Sequence, residues 1–283
     1  LSAVDCGGDA LRAMSHVTRV DLHSNELSSV PPALFELPAL RQLSLHSNRL
    51  EVLPDTLGRA TRLEWLTLNA NALTVLPESI GECSSLVRLG VHINPLRSIP
   101  ASLGQLTKLE ALSIFKTEVE VIPPELCQLT GLVRLALYEN RIGAVPPEIG
   151  RLASLQELWL YANRLTTVPV ELGQLSSLRK LWLDSNRIEH LPDGVFGCLS
   201  NLQELYLEHN ALQGLPRDLG SLTQLRKLYV SNNPGLQVPA GVAALPCMQV
   251  RRRRWQRGGQ HRQGVGGTAM HACAQATVAA RRA

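Results

Sequence analysis

The stretch Leu155-Gln156-Glu157-Leu158-Trp159-Leu160-Tyr161-Ala162-Asn163-Arg164-Leu165-Thr166-Thr167-Val168-Pro169 holds the pattern that decides the fold. Leucines stand at 155, 158 and 160, Asn163 follows, and an apolar-x-x-apolar-Pro step closes the unit. Moving back 23 residues gives Leu132, Leu135, Leu137, Asn140, Ile142, Val145 and Pro146. Moving forward by the same step gives Leu178, Leu181, Leu183, Asn186, Ile188, Leu191 and Pro192. Self-similarity at a fixed period of this length marks a solenoid, in which each unit is too small to bury its own apolar face and must stack on its neighbours.

The anchor position reads Asn25, Asn48, Asn71, Asn94, Thr117, Asn140, Asn163, Asn186, Asn210 and Asn233, spaced by 23 residues with a single step of 24. In Leu-x-Leu the period is two, so the leucines point inward and the residues between them outward, as in a strand. The anchor asparagine carries an acceptor and two donors, enough to satisfy backbone groups of its own and neighbouring turns. Proline stops the strand, and the Leu-Gly step that usually follows suits a short helical or extended turn on the outside. The predicted fold is α/β: a solenoid with a parallel sheet of ten strands on its concave face. Thr117 predicts a locally weaker ladder.

The pattern L-x-x-L-x-L-x-x-N-x-L-x-x-L-P-x-x-[LI]-G-x-L resembles the 23-residue intracellular class of leucine-rich repeats. That class includes the Shoc-type Ras-pathway scaffolds, the plant intracellular Ras-group proteins and the Scribble/erbin group. The resemblance covers residues 11–248 and implies a cytoplasmic, non-enzymatic scaffold for signalling proteins. Its implied partners are folded proteins such as small GTPases or phosphatase subunits. Leu191-Pro192-Asp193-Gly194-Val195-Phe196 instead resembles the 24-residue repeats common outside cells.

Composition agrees with a repeat built on aliphatic residues, since aromatics are only 4% of the chain and hydrophobic residues 45%. The net charge of +4 is unevenly spread. Residues 251–283 contain eight arginines and no acid, so the rest has 28 − 8 = 20 basic against 24 acidic residues. The chain therefore divides into an incomplete N-terminal end at 1–10, a repeat domain at 11–250 and an arginine-rich tail at 251–283. One period beyond Leu228 and Val230 the sequence places Arg251 and Arg253, which cannot fill buried leucine positions unpaired. The array is thus expected to stop mid-repeat. The tail reads as a disordered extension foreign to the repeats, and any nucleic-acid binding would come through it alone. The six cysteines form no C-x-x-C pair, and no asparagine lies in an N-x-[ST] sequon, which favours a reducing compartment. Cys83, Cys127 and Cys198 are expected as small buried hydrophobes of the outer turns. No apolar run reaches membrane-spanning length.

Function should lie on the outward columns of the strands. One column reads Trp159, Trp182, Tyr206, Tyr229 through its last four repeats, and the next runs Phe115, Tyr138, Tyr161, Asp184, Glu208, Ser231. Seven of the eleven aromatic residues fall in these columns, and Trp65 lies one position earlier on the same face. Phe115, Tyr138, Trp159, Tyr161, Trp182, Tyr206 and Tyr229 should form one connected, exposed patch that binds a folded protein, because Trp and Tyr dominate binding hot spots. Arg134, Glu157, Lys180, Glu204 and Lys227 flank it as a charge ladder of alternating sign. His23, His46 and His92 share a column, but no thiol or carboxylate set completes a tetrahedral metal site there, so neither metal nor cofactor is assigned. No P-loop, H-E-x-x-H, G-x-S-x-G or kinase signature is present in the sequence, and a catalytic site is not expected. The other reading is a recognition module of a larger enzyme, a kinase, GTPase or ubiquitin ligase.

Overall fold

The computed structural model describes residues 14–237 and 249–250. Each repeat supplies one short strand: β1 Arg19–Asp21, β2 Gln42–Ser44, β3 Trp65–Thr67, β4 Arg88–Gly90, β5 Ala111–Ser113, β6 Arg134–Ala136, β7 Glu157–Trp159, β8 Lys180–Trp182, β9 Glu204–Tyr206 and β10 Lys227–Tyr229. These pair in chain order, all parallel, in one sheet. The ten expected strands are therefore present at the expected segments.

The leucines of the repeat make one continuous core. Leu158 and Leu160, and their equivalents in neighbouring repeats, are fully buried between the sheet and the outer turns. Behind the sheet each Pro opens a five-residue 3-10 turn, as Pro169 does for Val170–Gln174, and its carbonyl accepts the N–H of Leu172 at 3.2 Å. Proline suits this place because its fixed φ is already helical and its carbonyl remains free to accept. The glycine of the Leu-Gly step is required by close approach: a Cβ on Gly104 would stand 2.2 Å from the Glu125 carbonyl of the next turn. The 24-residue step between β8 and β9 departs from this plan. Its outer segment is a plain turn in which Val195 and Phe196 fill the core.

Stacking is secured by the asparagines. Asn163 Nδ2 donates to Leu160 O at 3.0 Å in its own repeat and to Leu137 O at 2.9 Å in the one before, while its Oδ1 accepts the Ile142 N–H at 3.0 Å. One buried side chain thus ties two turns together through three bonds, and Asn48, Asn94, Asn140, Asn186 and Asn210 repeat the arrangement. The residue before each anchor adopts the left-handed region, with φ between 52° and 58°, although none of the ten is glycine. The bonds of the ladder offset the roughly 1–2 kcal/mol that such a conformation costs a residue with a Cβ.

Thr117 breaks the ladder as expected. Its hydroxyl donates to Asn140 Oδ1, and a single hydroxyl cannot also serve the groups that an asparagine amide would reach, Val91 O, Ile114 O and the Leu96 N–H. At the other end the structure shifts by one residue the register that had set Arg251 level with Leu228. A further strand, β11 Gln249–Val250, pairs parallel to β10 with Lys227 opposite Gln249 and Leu228 opposite Val250. The last step is 22 residues instead of 23, which brings a valine, not Arg251, level with the leucine column. Cys83 and Cys127 are buried, but Cys198 is exposed in the plain turn, contrary to its expected burial. The expectations for residues 1–10 and 251–283 fall outside the described residues.

Restoring the ladder should stabilise the protein. Thr117→Asn is expected to raise unfolding free energy by ~1 kcal/mol, and Asn163→Ala to lower it by ~2–4 kcal/mol because buried backbone groups lose partners. Urea unfolding of the three chains checks both signs.

Candidate functional site

Parallel in-register strands bring equivalent residues side by side at ~4.8 Å, close to the stacking distance of flat rings. A column of aromatic residues on such a sheet therefore becomes a stack. Trp159 lies on Trp182 with ring centroids 5.1 Å apart, Trp182 on Tyr206 at 5.2 Å, and Tyr206 on Tyr229 at 4.7 Å. In the neighbouring column Phe115 lies on Tyr138 at 4.2 Å and Tyr138 on Tyr161 at 4.3 Å. Trp159 and Tyr161 both pack against the small cluster of Phe115, Ala136 and Tyr138, which is separate from the leucine core. The seven residues thus form one patch of two stacks.

The patch is less open than the sequence suggested. Phe115 is 5% and Tyr138 7% exposed. Each is covered by ring neighbours on both sides, so these two form the floor, and Trp159, Tyr161, Trp182, Tyr206 and Tyr229 are the half-buried members a partner could touch. Trp65 is 37% exposed but stands apart from both stacks, with the Arg88 guanidinium 4.7 Å from its ring centroid.

Sequence reasoning missed the part played by His92. It stacks on Phe115 at 4.0 Å, and burial pushes its pKa down to about 4, so near neutral pH it is an uncharged flat ring that extends the Phe115 stack. His23 and His46 stack separately at 4.6 Å, and the hydrogen bond from His23 holds the Asp21 carboxyl down at about 2. Beside the patch the expected charge ladder forms in two of its steps: Lys180 meets Glu157 at 3.0 Å and Lys227 meets Glu204 at 3.0 Å. Glu204 also accepts the Tyr206 hydroxyl at 2.8 Å.

Asp184 was also passed over. It occupies the column of Phe115, Tyr138 and Tyr161 one repeat further on, where the stack ends. Its Oδ1 is buried without a hydrogen-bond partner, and burial raises its pKa to about 6, with Glu208 in the next repeat adding to the rise. The available signal was the identity of the column: an acid stands where three repeats in succession carry a ring.

The raised pKa fixes the sign of a pH effect. Between pH ~4 and ~6 the folded chain holds a proton on Asp184 that the unfolded chain has released, so this group makes stability fall as pH rises through that window. Asp184→Asn should therefore stabilise the protein by about 2 kcal/mol at pH 7.5 and give little gain below pH ~4. Urea unfolding at the two pH values tests this, and a loss of stability at pH 7.5 would contradict it.

Comparison with known proteins places this geometry in a family. The model described as "Leucine rich repeat" matches residues 15–73 and 176–234, and that described as "Leucine-rich repeat region" matches residues 89–187. No curated protein matches the chain. Among solved structures, the plant peptide hormone receptor RGFR1 in complex with RGF2 is 27% identical with a TM-score of 0.71, over 84% of this chain and 43% of that one. The leucine-rich-repeat ectodomain of the membrane receptor kinase GASSHO1/SCHENGEN3 from Arabidopsis thaliana is 25% identical, with a TM-score of 0.58 over 87% and 39% of the two chains. Toll in the Toll–Spatzle complex of Drosophila has a TM-score of 0.77 over 88% and 34% of the chains, but at 23% identity it shares the fold alone. The chain spans less than half the length of each of these. Among the described residues no helix is long and apolar enough to cross a membrane. The chain belongs to the leucine-rich-repeat proteins, a solenoid fold suited to binding other proteins.

Proposed function

We propose that the chain is a non-enzymatic scaffold that binds a folded protein partner on the aromatic face of its sheet, within intracellular signalling. The observation that carries this reading is the placement of the aromatic residues. The leucine core closes without them, yet five of them keep half-buried edges on one side of the sheet between β7 and β10. A contiguous amphipathic surface of this kind, which buries large area at small entropic cost, is what binding hot spots use.

The intracellular part of the reading is drawn from the resemblance to the 23-residue intracellular repeats. Burial pushes the pKa of Cys83 and of Cys127 up to about 12, and the Cys83 thiol is turned inward to the Leu57 carbonyl. Such groups serve as core atoms and do not act as redox or cross-linking sites. The resemblance to Ras-pathway scaffolds makes small GTPases and phosphatase subunits the first partners to test. A second reading, a recognition segment of a larger enzyme, is favoured by one observation, the likeness to the ectodomain of a membrane receptor kinase. The full-length transcript separates the two by the presence or absence of a catalytic domain.

Truncating the stack separates binding from folding. Each of Trp159→Ala and Trp182→Ala should cost the fold ~1–2 kcal/mol, because it bares the face of a stacked neighbour. Each should cost a complex ~2 kcal/mol or more. Partners captured from cell extract by the parent chain should be lost by the double variant at a temperature where both are folded by circular dichroism. Retention of every partner at unchanged affinity would overturn the assignment.

A further inference from the structure

The stack His92–Phe115–Tyr138–Tyr161 stops at Asp184. Tyr138 covers one face of the Tyr161 ring, and the other face is turned toward the next repeat, where the column holds an aspartate and then Glu208 in place of rings. Aspartate is several atoms shorter than tyrosine, so the place the next ring would take stands above a carboxylate. Trp182, two residues before Asp184, belongs to the neighbouring column, where it is stacked between Trp159 and Tyr206.

The two lysines beside the patch are paired within the protein. Lys180 is held by Glu157 and Lys227 by Glu204, and no cation is among the groups acting on Asp184. The Glu208 carboxylate receives the Ser231 hydroxyl, which leaves its charge unneutralised. The Asp184 carboxylate is met by the Ser185 hydroxyl and its own backbone N–H, while its Oδ1 has no hydrogen-bond partner. A carboxylate that is largely desolvated with no cation beside it is costly, and here it follows Tyr161 at the end of the ring stack.

Deepening the proposed binding role, we infer that the occupant of this place is an arginine side chain of the partner, whose guanidinium continues the ring stack on Tyr161 and pairs with Asp184 and Glu208. The chemistry selects arginine over other groups. Its planar cation stacks on an aromatic face and donates in a fork to carboxylates. Lysine would pair with the acids but cannot replace a ring, and an uncharged aromatic side chain would leave the acids unpaired. The partner is thus a protein segment that presents an arginine beside apolar residues, the latter lying along Trp159 and Trp182.

The test uses a random dodecamer peptide library displayed on phage and panned on the whole chain, with binders sorted by their dependence on the Trp159→Ala/Trp182→Ala double substitution. Trp-dependent binders should share an arginine. Replacing that arginine by lysine or by citrulline should weaken them at least about tenfold, and so should Asp184→Asn in the protein, a variant expected to fold at least as stably as its parent. Glu189→Gln, at an exposed acid outside the two stacks, should leave them unchanged. Trp-dependent binders with no arginine in common, or with an arginine indifferent to Asp184→Asn, would overturn this inference and leave the binding face standing. A library yielding no Trp-dependent binder would overturn both.

Discussion

Everything on the face of this protein depends on the bonds of the buried anchor asparagine. A solenoid of short strands has little within each strand to fix its register, since three residues make few ladder bonds. The asparagine side chain adds three buried bonds that reach from one repeat into its neighbour. A slip of one residue would leave those groups unpaired at a cost of ~1–3 kcal/mol each. The left-handed residue before each anchor belongs to the same device, because it turns the chain so that the amide can reach both repeats.

Fixed register then converts a sequence interval into a distance. Side chains 23 residues apart are held at the separation of stacked rings, so placing a ring in one outward column of successive repeats creates a stack with no further design. This is why aromatic residues that the core does not need end in ordered ladders with centroids 4.2–5.2 Å apart. It is also why an acid in that column is conspicuous. Asp184 is largely desolvated and has no cation to meet it.

The repeat was legible because its period, its leucines and its asparagine each have a local chemical reason and agree over ten copies. The columns were legible for the same cause, and so was the weak rung at Thr117. Other features were hidden because they depend on distances that a period does not state. Burial of Phe115 and Tyr138 follows from rings on both sides, a cooperative effect visible only once stacking is known. His92 read as a polar residue until its neighbour gave it a ring to lie on. The 22-residue step to β11 escaped a reading that held the period constant, and the exposure of Cys198 follows from a turn that abandons the 3-10 geometry of the others.

The central claim is that the ladder's register makes Trp159 and Trp182 one stacked pair. Two indoles 5.1 Å apart and 17° from parallel couple electronically, which a circular dichroism spectrum detects directly. The folded chain should show an exciton couplet that disappears completely, and equally, in Trp159→Ala and in Trp182→Ala. A spectrum in which each substitution removes only its own independent contribution would mean that the rings do not stack, and that the register does not organise this face.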